Sequence, residues 1–515
     1  MGFADRAVGG KCVGLCGCGL NELDGKGAFT GRGCCRGHVF FAALCHGCLW
    51  VPWALMLLLM GCVPYAPASR NPLPEGFASR YTLYSSPERG ERDRWWEGFG
   101  NPELNRLVAE ALGGNFTIRE AWARVDQARW GALVAGAGME PTMTADSALV
   151  RNDAKDTDSA HTFSLGLSAA YEVDLWGRLR ASANAADFDH GAARGDLESA
   201  AMTVAAGVAE GWVDLIGARQ QLRLLKGQVK TNETLLNLQE FRFEKSMGSA
   251  LDVLQQLEVL ERSRAAIPLV EASARQAENG LALFMGKAPG ADLNIGETAF
   301  PELTKIPSAG LPADLLAMRP DVRAAGLRLK AADWEVAAAR ADRLPALNIS
   351  GSFGYSGGGT GILLDRWVNM LAGSLAGPLL DGGRRKAVVE GARAVAAERI
   401  ATYEKTVFTA LREVEDALVA EQSQRRHLAA LEKAVVAARS AYEEAGIRYT
   451  RGLETFLPML IELRSVQELE REVVRQRVVL VKSRIALHRA LGGRWTEAKW
   501  RFDSPSWRPG LKINH

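Results

Sequence analysis

Cysteine and histidine are the residue types with the widest chemical reach in this chain, and their placement excludes most of it. All eight cysteines, Cys12, Cys16, Cys18, Cys34, Cys35, Cys45, Cys48 and Cys62, fall within the first 62 of 515 residues. The remainder uses neither disulfide nor thiol chemistry. Cys12-x3-Cys16-x-Cys18 and Cys45-x2-Cys48 invite a zinc reading, but the first group lacks a standard knuckle spacing and its neighbours are mostly glycine. The seven histidines are scattered from His38 to His515 with no metal-ligand or triad spacing, and His427 and His488 stand singly on helical stretches. The expectation is no metal, no cofactor and no enzyme.

One reaction remains, acylation at Cys62. Residues 39–61 are apolar, densest over 49–60, preceded by Arg32 and Arg36 and followed at once by Cys62. That order of basic, apolar and small residues before Cys fits a secretory signal whose cleavage exposes Cys62. Leu59-Met60-Gly61-Cys62 resembles a bacterial lipobox. The alternative is an uncleaved anchor, which 23 residues could just span. The core run of about 12 apolar residues favours the signal. Residues 1–38 fit neither a signal n-region nor a folded domain; a true start near residue 39, or an unfolded leader lost with the signal, would account for them. Lys plus Arg number 62 against 60 Asp plus Glu, and loss of the leader leaves 57 of each. So balanced a chain carries no footprint for nucleic acid.

The elements beyond Cys62 come twice. Ile118-x2-Ala121-x2-Arg124-x3-Ala128 with Pro141 is echoed by Val322-x2-Ala325-x2-Arg328-x3-Ala332 with Pro345, all offset by 204. Gly177-Arg178 matches Gly383-Arg384, and Ser246-x4-Leu251-x2-Leu254 matches Gly452-x4-Leu457-x2-Leu460, offset by 206. Each copy opens on an Ala-rich helix, at about residues 101–138 and 312–344. Strands follow, marked by period-two alternation: Phe163, Leu165, Leu167, Ala169, Tyr171 and Val173 against small or polar partners, and Leu347, Ile349, Phe353 and Tyr355 likewise. Their hairpin partners fall near 142–150 and 367–377. Proline-free stretches then predict very long helices over 177–245 and 383–450, the first expected to be bent or broken by its six glycines and to rely on close neighbours for support. The turns Ser246-Met247-Gly248-Ser249 and Arg451-Gly452-Leu453-Glu454-Thr455 lead into return helices.

Strands of 9 to 11 residues with one apolar face suit an outer-membrane barrel; an ordinary soluble hairpin is the alternative, and the signal and lipobox weigh against it. Four strands leave open edges, which lipid does not tolerate, and about eight is the smallest closed set. Strands from other copies must complete the wall. The small-residue faces of the long helices (Ala181, Ala183, Ala185, Ala192; Ala392, Ala394, Ala396, Ala397, Ala401) permit close lateral packing into a second, helical wall. A free-standing coiled-coil tether would show the same helix pattern. Asp174 with Arg178, and Asp381 with Arg384, look like strand ends pinned to helix starts, and Trp176 like a membrane-boundary anchor.

With these residues in view, the chain resembles the outer-membrane efflux proteins of the TolC type, in their acylated NodT-like branch. The resemblance covers residues 62–495 and rests on Trp95-Trp96-x2-Phe99-x2-Pro102-x-Leu104, Asn115, Tyr171-Glu172-Val173-Asp174-Leu175-Trp176-Gly177-Arg178, Arg319-Pro320-Asp321-Val322, Arg343-Leu344-Pro345 and Pro378-Leu379-Leu380-Asp381-Gly382-Gly383-Arg384. It implies a mainly α fold with a small β part: a long-helix α-barrel under a transmembrane β-barrel completed by a homotrimer, four strands per chain. The domains it implies are a leader and signal (1–61), an acylated periplasmic segment (62–100), two efflux repeats (101–300 and 301–495) and a tail (496–515). The protein would sit in the outer membrane, held in its lipid at Cys62. It would be a passive duct for small molecules, served by a periplasmic adaptor and an inner-membrane transporter. A one-step protein exporter is the alternative within the family. By the same resemblance, Ser246, Met247, Gly248, Ser249, Gly452, Leu453, Glu454 and Thr455 lie at the periplasmic tip where the adaptor docks. Asp252, Pro458, Ile461 and Glu462 are the aperture candidates; Pro458 stands where some members carry an acid.

Overall fold

The computed structural model describes residues 65–67, 74–82, 94–153, 160–296, 299–303, 306–307, 310–358 and 360–493. The leader, Cys62 and the tail after residue 493 lie outside the described residues. A 3-10 turn, Trp95–Phe99, leads into α1 (Pro102–Gly114). Pro102 fills the first helical position and the Asn101 side chain accepts from Leu104 N at 3.0 Å, the combination that starts helices. α2 (Phe116–Ala137) follows. The stretch at 101–138 is thus two helices, because Asn115 is extended (φ −62°, ψ 135°) and its Oδ1 accepts from Thr117 N and Ile118 N, recapping the chain. The second copy divides likewise, into a 3-10 turn (Pro312–Asp314), α5 (Leu315–Met318) and α6 (Pro320–Ala341). There Pro320 forces extended geometry on Arg319 (φ −93°, ψ 119°).

Strands β1 (Thr142–Asn152), β2 (Ala160–Val173), β3 (Ala346–Gly357) and β4 (Trp367–Ala376) form one antiparallel sheet in chain order. Register puts Leu167 opposite Ala145 and Phe353, and Tyr171 opposite Ile349, so the alternating apolar residues share one face. The other face carries Thr144, Ser164, Ser168, Asn348, Ser350 and Ser352. Thr144 and Ser168 hydroxyls pair at 2.7 Å.

α3 (Arg178–Glu244) and α7 (Arg384–Thr450) have 67 residues each, about 100 Å of helix. α4 (Ala250–Phe284) and α8 (Phe456–Leu491) return beside them. The glycines of α3 do not break it; as expected, the helix leans on close neighbours where they fall. A Cβ at Gly195 would come within 3.0 Å of Ala324 Cβ and Pro320 O, and one at Gly211 within 3.1 Å of Leu281, while Gly207 and Gly217 give up their side chains to the Phe284 ring and Val478. These glycines are contact points that let helices approach. The upper helices lie in the order α2-α3-α6-α7. Because α2 feeds β1, β2 feeds α3, α6 feeds β3 and β4 feeds α7, this layer continues the sheet strand for strand. The largest apolar core lies midway along α3, where Trp95, Trp96, Leu104, Leu107, Trp212, Leu281 and Ile485 converge.

Candidate functional site

Three places along this wall could do work: the sheet, the strand-to-helix junctions and the helical tips. In the sheet, Leu165, Leu167, Ile349, Phe353, Leu371 and Leu375 are exposed on the apolar face. β1 is exposed along its whole length, and β1 and β4 each have one unpaired edge. A row of large apolar side chains facing outwards fits hydrocarbon and not water.

At the junctions, Gly177 (φ 76°) and Gly383 (φ 84°) both take the left-handed conformation at the start of the long helices, where a side chain would be strained. Asp174 accepts from Leu179 N (3.1 Å) and Arg180 N (2.9 Å); Asp381 accepts from Gly383 N and Arg385 N, both at 3.0 Å. These bonds hold the Asp381 carboxyl below its usual pKa. Arg178 pairs with Glu172 (2.7 Å) rather than with Asp174. In the second copy the arginine that reaches across is Arg385, to the Asp342 carbonyl, while Arg384 is exposed. Trp176 is half-buried and donates Nε1–H to the Pro345 carbonyl at 2.7 Å. It ties the β2–α3 junction to the α6–β3 junction.

Sequence reasoning missed a further pair. Asn115 Nδ2–H donates to the Phe284 carbonyl (2.8 Å) and Arg319 Nη1–H to the Ala490 carbonyl (3.1 Å), so each copy clips the end of its return helix to its first helix. Gly286 (φ 70°) and Gly492 (φ 73°) let the chain pass against the carbonyls of Gly114 and Met318 at the same two places. The offsets, 204 and 206, were the available signal. The second clip is ionic: Arg319 also binds Asp321 (2.6 Å) and Glu413 (2.7 Å). Burial lowers its pKa, but these carboxylates more than compensate and hold it above the usual value.

At the first tip, Ser246 is left-handed (φ 59°), and Met247 N–H donates to the Arg242 carbonyl at 2.7 Å. Gly452 (φ 71°) and the Leu453 N–H bond to Arg448 O at 2.9 Å repeat this turn, a helix-ending motif with an αL residue. Gly248 packs beside Arg242, and Glu454 and Thr455 are exposed. Ser249 and Asp252 cap each other's backbone N–H (3.1 and 3.2 Å), which commits the Asp252 carboxylate to starting α4. Pro458 sits in the first turn of α8, Ile461 is exposed and Glu462 half-buried. Met247, Leu251, Leu254, Leu453, Leu457 and Ile461 are all exposed. Tyr449 OH, buried, donates to Gln239 Oε1 at 2.9 Å and links the two hairpins. Among the described residues no group of three or more His, Cys, Asp or Glu is placed to hold a metal.

An open sheet with an outward apolar face, built on paired 67-residue helices and repeated within one chain, is the frame of an outer-membrane efflux channel. The family model described as outer membrane efflux protein matches residues 107–287 and again 311–493, and the chain belongs to that family. It is 31% identical over 455 residues to the pyoverdine export outer membrane protein OpmQ of Pseudomonas aeruginosa, covering 85% of this chain and 95% of that one. It is 28% identical over 469 residues to nodulation protein T of Rhizobium leguminosarum bv. viciae (86% and 93%). Among solved structures, the outer-membrane channel OprN superposes with a TM-score of 0.79 at 28% identity, over 84% of this chain and all of that one. The open state of the MtrE outer membrane channel of Neisseria gonorrhoeae gives 0.77 at 25% identity, over 84% and 99%.

Proposed function

We propose that three copies of this chain close into a twelve-stranded barrel over a helical tube, forming the passive exit duct of a tripartite efflux system. The observation that carries this reading is the sheet: four strands, an apolar outer face and two unpaired edges. In hydrocarbon each unpaired backbone group costs several kcal/mol, so an open sheet is stable there only when further copies close it. No bond is made or broken in such a duct, and no cofactor takes part. The exposed apolar residues Met247, Leu251 and Leu254 at one tip, and Leu453, Leu457 and Ile461 at the other, form docking surfaces for a periplasmic adaptor that joins the duct to an inner-membrane transporter. Asp252, Pro458, Ile461 and Glu462 lie in the first turns of the return helices, where a tube of this length narrows. Relatives named for pyoverdine export and for toluene efflux share this frame. We assign small molecules as cargo, with selection resting in the transporter.

Cys62 anchors the duct. Ala66 and Pro67 line a cavity with Ala337 and Arg340 of α6 and Ala396 and Ile400 of α7. Ala337 precedes the end of α6 by four residues, about 6 Å before the turn that leads into β3. Cys62 is four residues before Ala66, a reach of about 13 Å, enough to bring an acyl group to the base of the barrel. Native mass spectrometry of the detergent-extracted protein tests both points. The expected species is a trimer of chains that begin at Cys62 and carry the added mass of lipid; a bare monomer would overturn the reading.

A further inference from the structure

α6 lies between α3 and α7, and a cavity of about 670 Å³ sits among the three helices. Phe188, Val322, Leu327, Leu329 and Trp334 supply apolar walls. At one side Gly326 of α6 meets α7, where a Cβ on it would stand 3.4 Å from the Tyr403 ring. Pockets of about 300–1,000 Å³ with apolar walls and a few placed polar groups are the kind that hold small molecules.

The first repeat shows the same place filled by the chain itself. The shift of 204 lays Ala121-Trp122-x-Arg124 on Ala325-Gly326-x-Arg328, and the shift of 206 lays Leu197 on Tyr403. Trp122 is 9% exposed and shares the main apolar core with Leu197. In the second repeat glycine replaces that indole, and the volume an indole would occupy stays open. Protein interiors pack densely, so an unfilled hollow loses contacts on every wall. A molecule seated there restores them.

The charges around the cavity narrow the class of molecule. Glu198 forms an ion pair with Arg323, and the one other carboxylate among the described lining residues is the buried Asp333. Against it stand Arg194 and Lys330, both exposed. Lys330 Nζ lies 5.8 Å from the Phe188 ring centroid, where charge borders the apolar wall. The first repeat has Asp126 in place of Lys330, so this positive charge is a feature of the second repeat and not of the duplicated frame. We propose that the cavity binds an amphipathic anion of the fatty-acid type, with its apolar chain against Phe188, Leu327 and Trp334 and its single acidic head at Lys330 and Arg194. Phe188 follows the start of α3 by ten residues, about 15 Å of helix, which separates this site from the lipid-facing sheet.

The probe is a long-chain fatty acid carrying a photoreactive diazirine. The full mature protein, purified in a neutral detergent, is irradiated with it, and adducts are located by peptide mass spectrometry. They are expected in residues 188–198 of α3 and 322–334 of α6. Gly326→Trp and Lys330→Asp each install what the first repeat carries at the same place, and each lowers the labelling about tenfold. If Gly326→Trp alone loses the native mass, Gly326→Trp with Tyr403→Leu reproduces the first repeat's pair and takes its place. A fatty-acid mass retained by the unlabelled protein identifies a resident lipid, and labelling without a retained mass identifies a passenger. Adducts confined to the strands, or unchanged in either variant, would overturn the site; equal labelling by a fatty alcohol of the same length would overturn the acidic head. Pro67 also lines the cavity, five residues after Cys62. Labelling that appears only in Cys62→Ser would therefore give the space to the protein's own acyl chain and overturn the free anion.

Discussion

Gly217 and Gly227 stand ten positions apart on α3, yet the first gives up its side chain to Val478 and the second faces open space. Composition alone treats both as helix-weakening residues, which is why the sequence suggests a bent or broken helix. The contacts reverse that for five of the six, because which glycine touches a neighbour depends on partners some 70 to 260 residues away. Gly217→Leu should lower stability by roughly 1–3 kcal/mol through overpacking, while Gly227→Ala should raise it by up to about 1 kcal/mol; thermal melts of the two variants in one detergent compare them. Arg319 belongs to the same scale. Its removal leaves Glu413 and the Ala490 carbonyl without their main donor. Arg319→Ala should therefore cost about 3 kcal/mol, against about 1 kcal/mol for Asn115→Ala at the neutral clip. Equal losses in denaturant titrations would argue against an ionic lock in the second repeat.

The strands and long helices were legible in the sequence because each has a period of its own: alternation in Phe163 to Val173, and proline-free, small-residue faces over the 67-residue helices. The duplication was legible for a similar reason, since the shifts of 204 and 206 survive in the glycines and arginines at element ends. The breaks at Asn115 and Arg319 were not. The amphipathic pattern runs straight through both; Asn115 is decided by its own side chain, which caps the next turn and donates to a carbonyl 169 residues away, and Arg319 by the ring of Pro320 together with a carbonyl 171 residues away. Trp176 was legible as a junction residue, but its partner, the Pro345 carbonyl, has no sequence signature. The tips were found as turns, but their exposed apolar stripes became visible only once the return helices showed which faces they bury. If those stripes receive the adaptor, Leu251→Asp combined with Leu457→Asp should abolish drug tolerance and adaptor co-purification while leaving the native mass unchanged. A charge at Ser246 or Gly452 should act in the same direction. Full efflux in these variants would remove the docking role from the tips.

Across the whole molecule, one physical constraint connects the parts: an open sheet with an apolar face is stable in lipid only when its edges are closed. Helical layer and sheet share one order of elements, so closing one closes the other. On the proposed reading, a lipid at Cys62 would contribute location and not closure. Cys62→Ser should therefore remove the acyl group and weaken membrane retention, yet leave trimers intact in native gels; loss of trimers would show that assembly depends on the anchor. The central claim is that these copies enclose a continuous water-filled path. Single-channel recording of the purified trimer in planar bilayers addresses it most directly. The account predicts discrete ionic currents, longer-lived when the apolar tip residues are replaced by charges. A trimer that inserts but passes no current at any voltage would contradict the duct and leave a periplasmic coiled-coil tether in its place.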